Sequence, residues 1–303
     1  KDTDTYVFYD SITKGEEKQK DTQYQRFLPF NENVEGENLT LFQEDQKKIT
    51  LNEKQSFPIY RKTEQYYFVE YQIKEEEGSV VPAQNTDTES TDSVSVLNYH
   101  FFYDPEVETC DQIICHTKNQ FIEQLEYLKQ NQYVTLTSEE LKMFLKGEIR
   151  LPKNSVAITI DDGYLAKLGV TLLTQYQMDA TLFLITAWYD PKEFETDYVK
   201  VESHSHNMHN TGVCPGGQGG AIKCWSDEKI LEDLKASQDR IGGSSVFCYP
   251  FYEYNSHSIE LLKQAGFEMA FIGGNRKAKV GVDLMQIPRY VVYSNTTLED
   301  FKK

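Results

Sequence analysis

The sequence predicts an α/β fold with a largely parallel sheet, preceded by a small all-β domain. From about residue 94, short apolar β-type runs alternate with segments whose apolar residues recur at helical spacing. Such alternation is typical of parallel strands joined by helical crossovers. The first 92 residues differ, since they are rich in Gln, Glu, Lys and Thr and carry only short β-type runs. This pattern does not separate a closed barrel from an open sheet.

The N-terminal part is predicted to be a separate domain. Residues 1–82 contain β-type runs at 6–9, 57–60 and 66–71, and their alternation indicates half-buried antiparallel strands. Residues 49–81 loosely resemble a bacterial SH3-like cell-wall module, and a structural spacer is the alternative. Residues 83–92 are small, polar and aperiodic, which predicts a linker. The second domain is then 93–303.

The elements of the second domain follow from periodicity and caps. Helix 119–131 has Phe121, Leu125 and Leu128 on one face, and a capping box at 137–140 opens a helix ending at 145. Ser226 caps a helix that ends at 241 before two glycines. The remaining predicted helices are 165–177 and 256–265, and the predicted strands are 94–100, 155–160, 180–186, 246–249, 267–272 and 285–292.

Charge and hydropathy limit the partners. A net charge of −17 and a pI near 4.8 argue against nucleic acid and anionic membrane surfaces. No window approaches the roughly 18 apolar residues of a spanning helix. We expect contact with a membrane only through an anchor outside residues 1–303. We also expect a monomer.

The five cysteines indicate an oxidising compartment. Cys110 and Cys115 lie in a turn-like stretch, and Cys214 and Cys224 enclose a glycine-rich loop. Two such pairs predict local disulfides and an extracellular or cell-surface location. A cysteine metal site is the alternative, but the spacings are not Cys-x-x-Cys. Cys248 lies in an apolar run and is predicted to be a buried free thiol.

Two groups of polar residues carry the predicted chemistry. Asp161 and Asp162 end the β-type run 155–160 and precede Gly163, at the strand end where α/β proteins build their sites. Three of the six histidines fall within residues 204–209. One Asp with two His is a suitable ligand set for Zn²⁺, and the second Asp is then free to act as a base.

These motifs resemble a known family. The Asp-Asp-Gly element, Ser203-His-Ser205 followed by His209, and the segment 246–255 around Pro250 resemble, in order, three motifs of the polysaccharide deacetylases. That family is carbohydrate esterase family 4, or the NodB-homology domain, and the third motif here lacks its arginine. The resemblance extends over about 94–303 and implies an irregular (β/α) barrel.

The resemblance also implies roles for individual residues. Asp162, His204 and His209 would hold Zn²⁺ or another divalent metal, with Asp161 as general base. The backbone N–H of Phe251 would stabilise the oxyanion. The other residues expected to contact substrate are Tyr249, Pro250 and Arg289.

Two assignments stay open. His206 with His209 is the rival ligand pair, and the wide gap between His204 and His209 resembles the poly-N-acetylglucosamine deacetylase variant. The family's late histidine is missing, because no histidine follows His257, itself expected at the surface. His100 is the candidate acid, with a buried structural histidine as the alternative, and Arg289 can orient Asp161.

The predicted function is a zinc-dependent N-deacetylase. Its partner would be an N-acetylglucosamine-containing polysaccharide, either peptidoglycan or poly-N-acetylglucosamine. The alternative is a weak or inactive carbohydrate-binding cell-wall protein built on a deacetylase scaffold.

Overall fold

A computed structural model describes residues 90–302 in full and, within residues 1–89, only the backbone of six strands. The chain divides into two compact units, residues 1–92 with 147–153 and residues 93–146 with 154–303. The side chains of the predicted β domain and residues 83–89 of the predicted linker lie outside the described residues. The predicted SH3-like stretch lies outside them too, apart from the backbone of its strands.

The first unit has short strands. They are β1 Thr5–Val7, β2 Arg26–Leu28, β3 Leu39–Phe42, β4 Lys48–Leu51, β5 Ile59–Thr63, β6 Tyr66–Gln72 and β7 Ser90–Thr91. Strand β6 pairs antiparallel with β1, β2 and β5, and β3 pairs with β4. Strand β7 lies at the end of the predicted linker, so those two residues are not aperiodic coil but pair with Leu151–Pro152.

The second unit alternates strands with helices, as predicted. Leu151–Pro152, which belongs to the first unit, is β12 in chain order. The strands of the second unit are β8 Ser93–Tyr99, β9 Phe101–Tyr103, β10 Cys115–Thr117, β11 Val134–Leu136, β13 Ser155–Asp162, β14 Ala180–Leu184, β15 Val199–Ser203, β16 Val246–Cys248, β17 Met269–Phe271, β18 Ala278–Lys279 and β19 Tyr290–Val291. Its helices are α1 Lys118–Gln130, α2 Ser138–Leu145, α3 Ala166–Tyr176, α4 Asp227–Ile241, α5 Ser256–Gln264 and α6 Leu298–Phe301.

The main sheet is curled and mostly parallel. Its strand order is β17-β16-β15-β14-β13-β8, and these neighbours are all parallel. Beyond β8 lie β19, parallel, and β18, antiparallel. Just before β19, Ile287 forms a parallel bridge to Phe271 in β17. One short segment therefore pairs with both ends of the strand order, which requires a curled sheet. The α/β prediction is confirmed.

The helices begin where their caps predict. Thr137 and Glu140 form the capping box of α2, and Ser226 accepts a hydrogen bond from Lys229 N at the start of α4. Gly242 ends α4 with a φ of 87°. Within residues 90–302, no helix combines the length and the apolar character needed to cross a membrane.

Among residues 90–302, two buried apolar clusters flank the sheet. One joins β8, β13 and β14 to α1 and α3, and the other packs α4 and α5 against β16 and β17. Both position the strands whose carboxyl ends form the site.

One predicted strand needs correction, and one strand that contributes to the site was not predicted. The predicted strand 285–292 is wrong except at Tyr290–Val291, because Asp283 caps a 3₁₀ turn at Leu284–Gln286 and Pro288 has no N–H for a ladder. Strand β15 was missed, because its last residues are polar. Glu202 and Ser203 are nevertheless buried, with Glu202 accepting a hydrogen bond from Ser244.

The predicted cysteine pairing is confirmed. Cys110 is bonded to Cys115 and Cys214 to Cys224, with Cα–Cα distances of 6.0 and 5.8 Å. Cys248 is a buried free thiol.

Candidate active site and metal centre

The site lies at the edge of the sheet formed by the carboxyl ends of β13 and β15, on either side of β14. Asp161 and Asp162 end β13, and His204 directly follows β15. In the sheet register Asp162 pairs with Leu184 of β14, which pairs with Ser203 of β15. One strand therefore separates the aspartates from the histidine, and parallel pairing brings both groups to the same edge.

The end of β13 requires an unusual backbone. Asp162 has a φ of 76° and Gly163 a φ of 110°. A Cβ on Gly163 would lie 2.6 Å from Leu184 Cδ1 and 2.7 Å from a Tyr189 ring carbon, so the position accepts only glycine. A left-handed backbone conformation costs free energy at a residue other than glycine, and such strain is characteristic of functional sites.

Asp162, His204 and His209 converge on one point. The Nε2 atoms of His204 and His209 lie 3.3 and 3.2 Å from Asp162 Oδ1. One donor atom from each residue falls within 4.8 Å of the others. Asp162 Oδ1 is buried and, among the described residues, has no hydrogen-bond partner. A buried carboxylate oxygen without a hydrogen bond is costly unless a cation satisfies it.

The tautomer of His204 fits a metal ligand. Its Nδ1 lies 2.8 Å from the carbonyl oxygen of Cys248, and a carbonyl only accepts. Nδ1 then carries a proton, and in the neutral imidazole the lone pair is on Nε2, which faces Asp162. One carboxylate and two imidazoles are a donor set that fits a divalent cation.

His206 is not part of this cluster. Its Nδ1 lies 3.0 Å from Thr186 Oγ1 and not beside Asp162, His204 and His209, the three residues called the triad below. Of the two predicted pairs, the geometry thus brings His204 and His209 to Asp162.

Asp161 is held by Arg289. Two hydrogen bonds of 2.7 and 2.8 Å join the guanidinium to the two carboxylate oxygens, and both side chains are buried. Burial alone would raise the pKa of Asp161, but the charge and hydrogen bonds of Arg289 outweigh it and hold that pKa well below its usual range. Asp161 is therefore ionised at any working pH.

A second cluster, Asp161, His204 and Cys248, is a poorer metal site. Its donor atoms also lie within 4.8 Å of one another. However, Arg289 Nη2 lies 2.9 Å from Cys248 Sγ and donates to Asp161. A fixed guanidinium beside both groups repels a second cation, and burial raises the pKa of the Cys248 thiol.

His100 lies near the aspartates, whereas His257 does not. Burial lowers the pKa of His100, and the charges of Asp161 and Asp162 oppose that shift. Within residues 90–302 the His100 Nδ1 atom is buried and has no hydrogen-bond partner. His257 is exposed and pairs with Asp227 at 2.6 Å, so its prediction as a surface residue is confirmed.

The loop that carries His209 is shaped by residues that the sequence did not single out. Asp233 of α4 accepts hydrogen bonds of 2.7 Å each from the backbone N–H groups of His206 and Asn207. Ser205 has a φ of 72°, and its hydroxyl accepts from Met208 N. Spacing alone gave no signal for Asp233, because helix α4 lies beyond the glycine-rich loop.

The segment after β16 forms a wall of the site. Phe251 has a φ of 57°, and its ring lies 4.2 Å from the His209 ring between centroids. Pro250 begins this turn and is buried. Tyr249, in contrast, is fully buried in the core and its hydroxyl donates to Met285 O, so the structure does not bring it to the substrate side.

The loop closed by Cys214 and Cys224 is fixed to this wall by Glu253. The carboxylate accepts from the N–H groups of Gln218 and Gly220 at 2.7 Å each and pairs with Lys223 at 2.9 Å. These bonds hold the glycine-rich loop beside the Phe251 turn.

Comparison with known sequences agrees with this geometry. Residues 148–270 match the profile of the polysaccharide deacetylase family. The Bacillus subtilis (strain 168) protein YxkH is 26% identical over 164 residues, covering 50% of this chain and 56% of that protein. The poly-beta-1,6-N-acetyl-D-glucosamine N-deacetylase of Escherichia coli (strain K12) is 22% identical over 250 residues, covering 66% of this chain and 37% of that protein. The aligned regions thus span about half or less of these relatives.

Solved structures share the fold. The Streptococcus pyogenes deacetylase PplD in complex with acetate has a TM-score of 0.60 and 19% identity, covering 69% of this chain and 96% of that one. IcaB from Ammonifex degensii has a TM-score of 0.58 and 20% identity, covering 70% and 95%. Residues 148–270 thus match the polysaccharide deacetylase family in sequence, and the chain shares its fold with these solved structures.

Proposed function

We propose that this chain is a metal-dependent N-deacetylase of N-acetylglucosamine residues in an extracellular polysaccharide. The single observation that carries the proposal is the convergence of His204 Nε2 and His209 Nε2, 3.3 and 3.2 Å away, on the buried Asp162 Oδ1, which has no hydrogen-bond partner among the described residues. The ionised Asp161 lies beside this cluster. A carbohydrate-binding protein would not need a ligand triad and an adjacent held carboxylate, so the binding alternative is not favoured.

Each residue has a proposed task. Asp162, His204 and His209 hold the cation, which we expect to be Zn²⁺ and which would supply Lewis-acid polarisation of the amide carbonyl. Asp161, ionised and oriented by Arg289, accepts the proton of the attacking water, since each oxygen keeps a second lone pair. The N–H of Phe251 donates to the developing oxyanion.

His100 is the proposed proton donor to the leaving nitrogen. Burial lowers its pKa, so the imidazole is neutral in the resting protein near pH 7. His100 must first receive the water proton from Asp161 and then deliver it to the nitrogen as the C–N bond breaks. Acetate and the protonated amine are the products, and one water is consumed.

The substrate class is supported by the relative named as a poly-beta-1,6-N-acetyl-D-glucosamine N-deacetylase. Peptidoglycan is the second candidate polymer. The two disulfides support a location outside the cytosol. We propose that residues 1–82 form a separate β domain that serves this polymer, joined through 83–92 to the catalytic domain 93–303.

Acetate release tests the proposal. The chain is incubated with poly-N-acetylglucosamine oligomers and, side by side, with peptidoglycan, before and after metal removal by a chelator. We expect acetate that disappears with the metal and returns with Zn²⁺. In Asp161→Asn the turnover should fall by roughly 10²- to 10⁴-fold while metal content stays normal. Asp239→Asn, an exposed residue of α4, is the control. Oligomer binding without acetate release in every condition would favour the binding alternative.

A further inference from the structure

Two exposed aromatic rings adjoin the triad without a task in the proposed reaction. Tyr164 and Trp188 are 49% and 50% exposed. Most large apolar side chains of residues 90–302 are buried, and a large ring left half in water beside a polar site often marks a binding surface.

Tyr164 is positioned by the end of β13. It lies two residues after Asp162, beyond the turn at Gly163. Its ring meets the ring of Phe101 at 5.1 Å and an interplanar angle of 89°, and Phe101 directly follows His100. This edge-on contact fixes the ring orientation while about half of the side chain stays in solvent.

Trp188 lies beside His209, on the histidine side of the triad. It follows β14 in a turn closed by the hydrogen bond from its N–H to Ile185 O, at 3.0 Å. Its ring lies 6.1 Å from the His209 ring at 81°. The chain's other tryptophan, Trp225, has the ammonium of Lys229 at 3.5 Å from its ring centroid, so its ring already has an intramolecular partner.

We propose that Trp188 and Tyr164 are stacking subsites for the pyranose rings that flank the sugar being deacetylated. This inference rests on the proposed function. It extends that function from binding of one sugar to binding of several consecutive sugars of the polysaccharide. N-acetylglucosamine is uncharged, so its binding depends on hydrogen bonds and on packing of its C–H face, which an aromatic ring matches. Trp188 lies against the ring of His209, and Tyr164 follows Asp162 by two residues, so the two rings flank the triad from different strand ends and suit the sugars on either side of the reacting one.

The first experiment compares two substrates in the full chain. Acetate release is measured on N-acetylglucosamine monomer and pentamer, and hydrolysis of 4-nitrophenyl acetate reports the triad without sugar. In Trp188→Ala and Tyr164→Ala the KM for the pentamer should rise about 10-fold, the effect of one lost aromatic contact. Turnover of the aryl ester should stay within about twofold of that of the unmodified chain, because this substrate has no sugar and depends only on the triad. Trp225→Phe is the control and should change neither.

The second experiment does not need catalysis. In Asp161→Asn combined with Trp225→Phe, Trp188 is the sole tryptophan. Its emission should shift and saturate with the pentamer but not with the monomer. An unchanged emission, or an unchanged pentamer KM in both alanine variants, overturns the stacking subsites.

The outcomes also separate the two proposals. A saturable emission shift in a chain that releases no acetate from any polymer keeps the subsites and refutes the deacetylase function. Acetate release with unaltered KM in the alanine variants refutes the subsites alone. A change in sedimentation of Trp188→Ala, with no change in sugar binding, would show that the rings instead cover a second copy of the chain.

Discussion

Arg289 and Asp161 form a bidentate ion pair in the interior of the protein. It joins residues 287–291, the closing segment that pairs with both ends of the sheet, to the central strand β13. The hydrogen bonds measure 2.7 and 2.8 Å, and the residues are 128 positions apart in the chain. Arg289 Nη1 also donates to Thr159 and Nε to Ile272 O. The arginine thus orients the proposed base and fixes the closing segment at the same time.

We predict that Arg289→Met destabilises the protein by about 3–5 kcal/mol, because it leaves the buried Asp161 carboxylate without its partner. The free energy of unfolding in urea measures this. Arg276→Met, at an exposed arginine of the same region, should stay within about 0.5 kcal/mol of the unmodified chain. Equal stability of both variants would contradict the prediction.

The metal assignment is tested by three histidines of one loop. We predict that His204→Ala and His209→Ala lose the metal, since each removes an imidazole nitrogen near Asp162 Oδ1. His206→Ala should keep it, because that imidazole faces Thr186. Elemental analysis of the purified variants decides, and full metal content in His204→Ala would refute the assignment.

Asp233 should act on the metal through the backbone. In Asp233→Asn one of the two N–H groups at His206 and Asn207 faces an amide donor, so the loop loses a hydrogen bond. We expect metal affinity to fall by about 10-fold, the lower end for residues that orient ligands. Competition with a chromophoric chelator measures it. Asp239→Asn on the same helix is the matched control, and equal affinities would show that the loop holds its shape without Asp233.

His116 should make stability depend on pH. Burial lowers its pKa to about 4 in the folded protein, from 6.5, and the backbone of Tyr293 and Ile114 only partly opposes this. Between these values the unfolded chain binds more protons, so stability falls as pH decreases, by up to about 3 kcal/mol from this residue.

The variant His116→Phe isolates that contribution. The imidazole packs edge-on against Tyr99 at 5.1 Å, and a benzene ring can take the same place without titrating. Urea unfolding of the metal-free protein at pH 7.5, 5.5 and 4.5 should show a shallower loss of stability than in the unmodified chain. His257→Gln is the contrasting control, because Asp227 raises the pKa of His257 and its contribution is lost as pH rises. Identical pH slopes in His116→Phe would contradict the prediction.

Much of the second unit was predictable because its signals are local. The caps at Thr137 and Ser226, the alternation of strands and helices, and the disulfide-forming cysteine pairs each depend on residues close together in the chain. The strand ending at Asp161 and Asp162 likewise shows its carboxylates in the sequence, since they directly follow an apolar run.

The closing segment was predictable only in part. Apolar residues at 285–292 suggested a continuous strand, but the cap at Asp283 and the missing N–H of Pro288 interrupt it. Similarly, Tyr249 and Phe251 are two residues apart, yet one lies in the core and the other faces His209. The left-handed turn at Phe251 directs the two side chains to opposite sides, and no sequence pattern at this position predicted the turn.

By itself the sequence determined the type of chemistry: a carboxylate pair, a histidine-rich segment and their order along an α/β chain. Only the tertiary structure decided that His204 rather than His206 meets Asp162, that Arg289 holds Asp161, and that Asp233 shapes the loop. The reason is physical. Caps and periodicity act between residues a few positions apart, whereas these choices depend on distant elements packing together, and their energies arise only when burial removes water from the paired groups.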